Sequence, residues 1–136
     1  MTAAVLVDTN VILDVATEDP KWFGWSSAQL SEIAGSSELI INPIIYAEVS
    51  IGFERIEDLD QALPPDLFRR VALPYEAGFL AGKVFLRYRR QGGERSAPLP
   101  DFYIGAHAAL GGYRLLTRDA SRYRSYYPSV ELITPS

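Results

Sequence analysis

The sequence contains no cysteine, only one histidine and no long hydrophobic run. Without cysteine, the chain can form neither a disulfide nor a thiolate metal site, which fits a reducing compartment. No apolar stretch approaches the roughly 20 residues that a membrane-spanning helix needs, and the N-terminus lacks the basic region of a signal peptide. These absences favour a soluble, cytoplasmic protein, and 136 residues are enough for one domain with a hydrophobic core.

Charged residues are unevenly distributed along the chain. Residues 1–68 contain two basic and twelve acidic residues, whereas residues 69–124 contain eleven basic and four acidic residues. A protein with such an uneven charge distribution can present a basic face to a polyanion even though its net charge is −4. Solvated helix faces explain the same pattern equally well, so the charge alone leaves both interpretations open.

Short apolar strands alternate with helical patterns along the whole chain. We predict strands at residues 3–8, 37–43, 70–74, 113–117 and 130–135. We predict helices at residues 9–17, 21–35, 43–53, 55–63, 75–93 and 101–112. Thr9 or Asn10 is expected to cap the first helix, and residues 94–100 are expected to form a loop. The alternation predicts a parallel sheet with helices on both faces, which is an α/β fold and a single three-layer α/β/α domain over residues 1–136.

Four acidic residues are placed to meet at one edge of this sheet. Asp8 ends the first strand, and Asp119 follows the strand at 113–117 by two residues. Asp101 begins a helix, and Glu48 lies about one turn inside another. Sites in open α/β sheets form at this edge, and carboxylates gathered there repel one another unless a cation lies between them. Oxygen ligands select a hard ion such as Mg²⁺ or Mn²⁺, which can activate water and hold a phosphate oxygen for phosphodiester hydrolysis.

Three of these acids also have an ordinary structural explanation. Asp101 can stabilise a helix N-terminus, Asp119 can belong to a turn, and Glu48 can be a solvated helix residue. Asp8 is the exception, because a carboxylate at the end of a buried strand is costly without a partner. The four acids together therefore indicate a site more strongly than any one of them alone.

Four segments resemble the PIN-domain ribonucleases, and specifically the VapC-type toxins of bacterial type II toxin–antitoxin pairs: VDTNVILD, NPIIYAEVSIGF, PDFYIGAHAALGGYRLLTRD and RYRSYYPSVELITP. The resemblance extends from residue 4 to residue 135. It implies a PIN domain that cleaves RNA with Mg²⁺ or Mn²⁺, using the catalytic and metal-binding acids Asp8, Glu48, Asp101 and Asp119. It also implies a homodimer and a VapB-like antitoxin as a partner.

The resemblance suggests a division of roles among these acids. Asp8 and Asp101 would be the principal metal ligands, and Glu48 would bind the metal or orient the attacking water. Asp119 would complete the metal site or hold a second ion.

Smaller polar residues near the same strand ends are assigned supporting roles. Thr9, Asn10 and Thr117 are suited to orient the metal ligands or to contact a phosphate, although helix capping explains Thr9 or Asn10 as well. Arg118 is the arginine expected to reach the site. Asp14 lies nearly two helical turns after Asp8 and is predicted to face away.

Several other residues were considered for function. His107 is predicted to be a packed helix residue and not a catalytic base. Trp22, Phe23 and Trp25 are predicted to lie in the core or in a groove for a partner, with base stacking as the less favoured role. Eight arginines flank residues 92–93 or lie around the last acid, and the resemblance gives some of them a role in RNA binding: Arg87, Arg89, Arg90, Arg95, Arg114, Arg118, Arg122 and Arg124.

Three other families with related folds are excluded by single features. A haloacid dehalogenase phosphatase needs a second acid at the position of Asn10, and a Rossmann dinucleotide binder needs a glycine-rich first turn. A response-regulator receiver needs a late lysine, whereas the only lysines are Lys21 and Lys83. Two alternatives to the toxin remain, a housekeeping RNA-processing PIN nuclease and a catalytically inert PIN module that binds a partner.

Overall fold

The structure is a computed structural model that describes residues 4–92 and 99–135. Within these ranges five strands form one parallel sheet: β1 (Ala4–Val7), β2 (Glu38–Ile41), β3 (Phe68–Arg70), β4 (Arg114–Leu116) and β5 (Leu132–Ile133). The same ranges contain seven helices: α1 (Thr9–Ala16), α2 (Phe23–Ala34), α3 (Pro43–Ser50), α4 (Ile56–Ala62), α5 (Tyr75–Arg90), α6 (Leu99–Gly111) and α7 (Ser121–Tyr126). A parallel sheet flanked by helices confirms the predicted α/β fold.

The order of the strands creates a crevice at the centre of the sheet. The strands lie in the order β3-β2-β1-β4-β5, and Leu6 of β1 pairs with Ile40 on one side and Leu115 on the other. The chain therefore builds outward from β1 in one direction and then in the other. The point at which the direction reverses lies between β1 and β4, and open α/β sheets form their sites at the carboxyl ends of such strands.

The central strands are fixed by burial on both faces. Val5, Leu6 and Val7 are fully buried, and so are Leu115 and Leu116 of β4. Each such side chain contributes about 1.5–3 kcal/mol through the hydrophobic effect. The ends of β1 and β4 are consequently held rigidly, as are the polar residues that follow them.

One close contact packs the C-terminal part of the chain against α6. A Cβ atom added to Gly105 would lie 2.3 Å from the ring of Tyr127, so only glycine fits at this position. The hydroxyl of Tyr127 also donates a hydrogen bond to the backbone oxygen of Phe102 at 2.7 Å. This contact positions the segment that includes α7.

Two parts of the fold differ from the prediction. The third strand was predicted at residues 70–74, but β3 lies two residues earlier because Phe68 is its buried residue. Helix α7 was not predicted, since Tyr123 is its only buried residue and one residue gives no periodic pattern. Most of the predicted loop at 94–100, together with Arg95, lies outside the described residues, and its last two residues belong to α6.

No helix within residues 4–92 and 99–135 is long and apolar enough to cross a membrane.

Candidate active site

Asp8 connects β1 to α1 and caps the helix. Its backbone is extended, and its Oδ1 accepts a hydrogen bond from the backbone N–H of Thr9 at 2.8 Å. The prediction that Thr9 or Asn10 caps α1 was wrong, because Thr9 is already the first helical residue. The backbone N–H of Asp8 donates to Leu116 at 2.9 Å, so this residue is also tied to the end of β4.

The Asp8 carboxylate is buried among hydroxyl groups. Its Oδ2 accepts hydrogen bonds from Thr117 Oγ1 at 2.8 Å and Tyr123 OH at 3.1 Å, with Asn10 Nδ2 at 3.5 Å. The residue is only 5% exposed. Burial raises the pKa of Asp8 from 3.8 to about 6, and repulsion from Asp101 adds to the increase although the hydrogen bonds oppose it. At neutral pH Asp8 therefore carries a charge that is costly to keep buried.

All four candidate acids line one pocket of about 210 Å³ at the carboxyl ends of the strands. Polar and apolar side chains complete its wall, and the full lining is Asp8, Thr9, Asn10, Leu13, Glu48, Asp101, Asp119, Arg122 and Tyr123. Of the candidate supporting residues, Thr9 and Asn10 line the pocket, and Thr117 is fully buried behind Asp8.

Glu48 is held at the pocket by α1. Thr9 Oγ1 donates a hydrogen bond to Glu48 Oε1 at 2.6 Å, which joins the first turn of α1 to α3. The start of α3 is set by Asn42, whose side chain accepts from the backbone N–H of Ile45 at 3.0 Å, and by Pro43 in the first turn. The half-buried Glu48 thus faces the ends of the central strands.

A buried hydrogen bond between Asn42 and His107 connects the two helices that carry Glu48 and Asp101. Asn42 Nδ2 lies 2.9 Å from His107 Nδ1, and the amide nitrogen can only donate, so this ring nitrogen accepts. Burial lowers the pKa of His107 below its usual value, which keeps the ring neutral. The prediction that His107 is a packed helix residue is confirmed. Sequence analysis missed Asn42, although an asparagine before a proline at a strand end is a helix-start signal.

Asp101 forms an ion pair with an arginine from α7. Arg122 Nη1 lies 2.5 Å from Asp101 Oδ2, and both side chains are about a third exposed, at 32% and 30%. Burial raises the pKa of Asp101, the charge of Arg122 opposes this increase, and Glu48 and Asp119 add repulsion. Sequence analysis placed Arg122 only among the RNA-binding arginines, because α7 was not predicted.

Arg118 does not reach the pocket, contrary to expectation. Its Nε donates to Asp14 Oδ2 at 2.8 Å, and its guanidinium lies over the ring of Trp22 at 5.6 Å. Asp14 is 2% exposed and also accepts from Ser26 Oγ at 2.7 Å. Asp14 therefore faces away from the four acids, as predicted. Its ion pair with Arg118 holds the arginine side chain away from the pocket.

The aromatic residues of α2 were predicted to lie in the core or in a groove. Trp25 packs against the core, Trp22 is half-buried, and Phe23 is exposed. Trp22 and Trp25 contact each other edge to face, with ring centroids 6.3 Å apart. These residues thus form a partly exposed aromatic surface beside the Arg118 contact.

The pocket has the chemistry of a site for a hard divalent cation. Its four acids offer carboxylate oxygens, and the buried charge of Asp8 together with its repulsion from Asp101 favours a cation between them. In the part of the chain that the structure describes, no three acidic or histidine side chains are arranged to hold a metal ion as they stand. Arg122 engages one carboxylate oxygen of Asp101, and Thr9 engages one of Glu48.

The parallel sheet and the acids at the carboxyl ends of its central strands are features of a known protein family. The family model of the PIN domain matches residues 5–126. The match covers most of the chain, and the protein therefore belongs to the PIN domain family.

Solved structures share this fold at low sequence identity. A chain of VapBC2 from Rickettsia felis, in a complex bound to a DNA fragment from its promoter, superposes with a TM-score of 0.77 and 17% identity, covering 98% of this chain and 99% of that chain. VapBC-1 from nontypeable Haemophilus influenzae gives 0.72 and 18%, covering 96% and 97%. FitAcB from Neisseria gonorrhoeae gives 0.69 and 20%, covering 95% and 96%. No curated protein sequence matches the chain.

Proposed function

We propose that the protein is a metal-dependent endoribonuclease that acts as the toxin of a toxin–antitoxin pair, with residues 1–136 forming one PIN domain. The observation that carries the proposal is the pocket at the carboxyl ends of the central strands, which three further acids share with the buried carboxylate of Asp8. Membership of the PIN domain family and the shared fold with chains of VapBC complexes support it.

Asp8 and Asp101 are the principal ligands for Mg²⁺ or Mn²⁺ in this proposal. When bound, the ion would supply a water of lowered pKa and a Lewis acid for a phosphate oxygen. Glu48 binds the ion or orients the attacking water, and the Thr9 hydroxyl sets the direction of its carboxylate. Asp119 is exposed at the rim of the pocket, where it completes the site or binds a second ion.

The hydroxyl groups behind Asp8 orient its carboxylate for metal binding. Thr117 and Tyr123 both donate to Oδ2, and the N–H of Thr9 donates to Oδ1, so the carboxylate cannot rotate freely. Hydrogen bonds from such supporting groups tune ligand basicity and geometry. Because the pKa of Asp8 is about 6, the carboxylate is ionised and able to bind a metal at neutral pH.

The proposed substrate is RNA, and the charge distribution supports a polyanion. The chain from residue 69 to residue 124 contains eleven basic residues, and Arg87, Arg89, Arg90 and Arg124 are exposed. Exposed arginines contact phosphates without regard to base sequence. Cleavage by this site would therefore depend strongly on salt concentration.

The proposed partners are a VapB-like antitoxin and a second copy of the chain, and the proposed location is the cytoplasm. Support for an antitoxin comes from the similar structures, which are chains of VapBC complexes. A gene for a small antitoxin next to the gene for this chain would separate the toxin from a housekeeping RNA-processing nuclease. Growth arrest on expression, relieved by the neighbouring gene, is the result expected of the toxin.

Cleavage of total cellular RNA by the purified protein tests the nuclease directly. We would compare Mg²⁺, Mn²⁺ and chelator, with Asp8→Asn and Asp101→Asn as the site variants. Asp14→Asn is the matched control, because Asp14 is also a buried aspartate but lies outside the pocket. Discrete, metal-dependent products that disappear only in the two site variants support the proposal. Cleavage that survives in both variants, or folded protein with neither cleavage nor metal binding, would contradict it.

A further inference from the structure

The acid pocket contains a cation that the chain itself supplies. Arg122 Nη1 contacts Asp101 Oδ2 at 2.5 Å and is among the residues that line the pocket. The next residue of α7, Tyr123, donates its hydroxyl to Asp8 Oδ2 at 3.1 Å. One short helix thus contacts both acids that are proposed as the principal metal ligands.

Arg122 and a divalent ion need the same carboxylate. Asp101 Oδ2 accepts the charged hydrogen bond from Arg122, so an ion bound to this carboxylate would lie next to the guanidinium. A guanidinium beside a divalent ion would also be repelled by it. The two cations therefore compete for Asp101.

The ion pair is weak enough to be displaced. About a third of each side chain is exposed. An ion pair with this exposure favours the paired over the separated side chains by about fivefold or less. The arginine stem extends from α7 at the pocket wall, so a guanidinium released from Asp101 would still be close to the pocket. The planar guanidinium group of Arg122 can donate two parallel hydrogen bonds to a phosphate group.

We propose that Arg122 is an internal competitor of the divalent ion, occupying Asp101 in the metal-free protein and moving to a phosphate of the RNA when the ion takes the carboxylate. This inference rests on the proposed nuclease function, and it makes metal binding a condition for the full RNA affinity of the site.

Measured Mn²⁺ affinity tests the competition independently of activity. At pH 8, where Asp8 is ionised, we would measure the Kd of Mn²⁺ by electron paramagnetic resonance for the wild-type protein and Arg122→Gln. We expect binding to become about three- to fivefold tighter in Arg122→Gln, because a competing cation is removed. Arg122→Lys keeps the charge and is expected to remain near the wild-type value.

Arg124→Gln is the matched control for loss of charge. Arg124 lies on the same helix, is exposed and does not line the pocket, so its replacement is expected to leave the Mn²⁺ Kd within about twofold of the wild-type value. An unchanged or weaker Mn²⁺ affinity in Arg122→Gln would overturn the inference. An equal gain in Arg124→Gln would also overturn it, since the effect would then come from net charge alone.

Binding of a fluorescent oligouridine tests the second half of the inference. With Ca²⁺ present, Arg122→Gln is expected to bind this RNA about tenfold more weakly than the wild-type protein, which is typical of a lost charged hydrogen bond. In chelator the two proteins are expected to bind alike, because Arg122 is then occupied by Asp101. An equal loss in both conditions, or none with Ca²⁺, would contradict the exchange.

Failure of this inference can be told from failure of the proposed function. If the nuclease proposal fails, the wild-type protein will show no Mn²⁺ site that Asp8→Asn removes. If only the role of Arg122 is wrong, that site and the RNA cleavage will be present, and Arg122→Gln will bind Mn²⁺ as the wild-type protein does.

Discussion

Replacing Asp8 by asparagine is predicted to stabilise the metal-free protein at neutral pH. Asp8 is almost completely buried, and burial raises its pKa from 3.8 to about 6. An asparagine at this position keeps the acceptor for the Thr9 N–H, and the hydroxyl of Tyr123 can reverse to accept from its amide. Thr117 Oγ1 already accepts from Asn10 Nδ2 and from the backbone N–H of Asp119, so the hydrogen bond between Thr117 and residue 8 is lost. The substitution therefore removes the buried charge and loses part of the hydrogen bonding around it.

The magnitude follows from the difference in pKa between the unfolded and folded states. Below pH 3.8 the carboxyl is protonated in both states and its titration has no effect on the free energy of unfolding. Between pH 3.8 and about 6 the unfolded state releases the proton first, so stability falls as the pH rises. Above pH 6 the carboxyl is ionised in both states, and the buried charge lowers the free energy of unfolding by its full amount. A pKa shift from 3.8 to about 6 corresponds to about 3 kcal/mol.

Thermal unfolding in chelator between pH 4 and pH 8 is the appropriate assay. For a chain of this length, 3 kcal/mol corresponds to a rise of up to about 10 °C in Tm for Asp8→Asn relative to the wild-type protein at pH 8, less the contribution of the lost Thr117 hydrogen bond. The difference is expected to shrink toward pH 4.

Asp14→Asn is the control with the opposite sign. Its carboxylate is buried like that of Asp8, but it is paired with Arg118 and accepts from Ser26, so its loss is expected to destabilise by about 1 kcal/mol. A Tm of Asp8→Asn at or below the wild-type value at pH 8, or a difference that does not change with pH, would refute the reasoning.

Three further predictions concern the packing and the hydrogen bonds around the site. Gly105→Ala is expected to destabilise by about 2 kcal/mol in urea unfolding because its Cβ would overlap a ring, whereas Gly78→Ala, at an ordinary 3.5 Å from its nearest neighbour, is expected to stabilise by about 0.5 kcal/mol. Tyr123→Phe removes a hydrogen bond that lowers the pKa of Asp8, so the pH of half-maximal RNA cleavage is expected to rise, and an unchanged pH profile would contradict this role. Because the folded protein keeps His107 neutral, the wild-type Tm is expected to fall relative to His107→Gln as the pH drops below 6.5, and parallel pH curves would show that burial does not suppress its protonation.

The positions of the four acids were predictable because each lies next to a clear local signal. The fully apolar β1 ends abruptly at Asp8, and the helix that contains Asp101 begins just before it. Parallel strands bring their carboxyl ends to one edge, so the sheet topology alone places these residues near one another. The fold class followed from the same alternation of strands and helices.

The partners of the arginines were not predictable from local pattern. Arg118 and Arg122 both follow the last strand of the site, but a buried carboxylate 104 residues earlier, Asp14, determines where Arg118 points. Arg122 depends on α7, a helix of six residues whose position is set by the packing of Tyr123 and Tyr127. Tertiary contacts determine the orientations of these two arginine side chains, and such contacts override local sequence preferences.

The site as a whole is tested most directly by locating a metal ion in it. We would soak crystals of the metal-free protein at pH 8 with Mn²⁺ and record anomalous diffraction. We expect an anomalous peak within about 2.0–2.3 Å of carboxylate oxygens of Asp8 and Asp101, with Arg122 no longer in contact with Asp101. No peak at saturating Mn²⁺, or a peak only outside this pocket, would contradict the claim that the four acids form a metal centre.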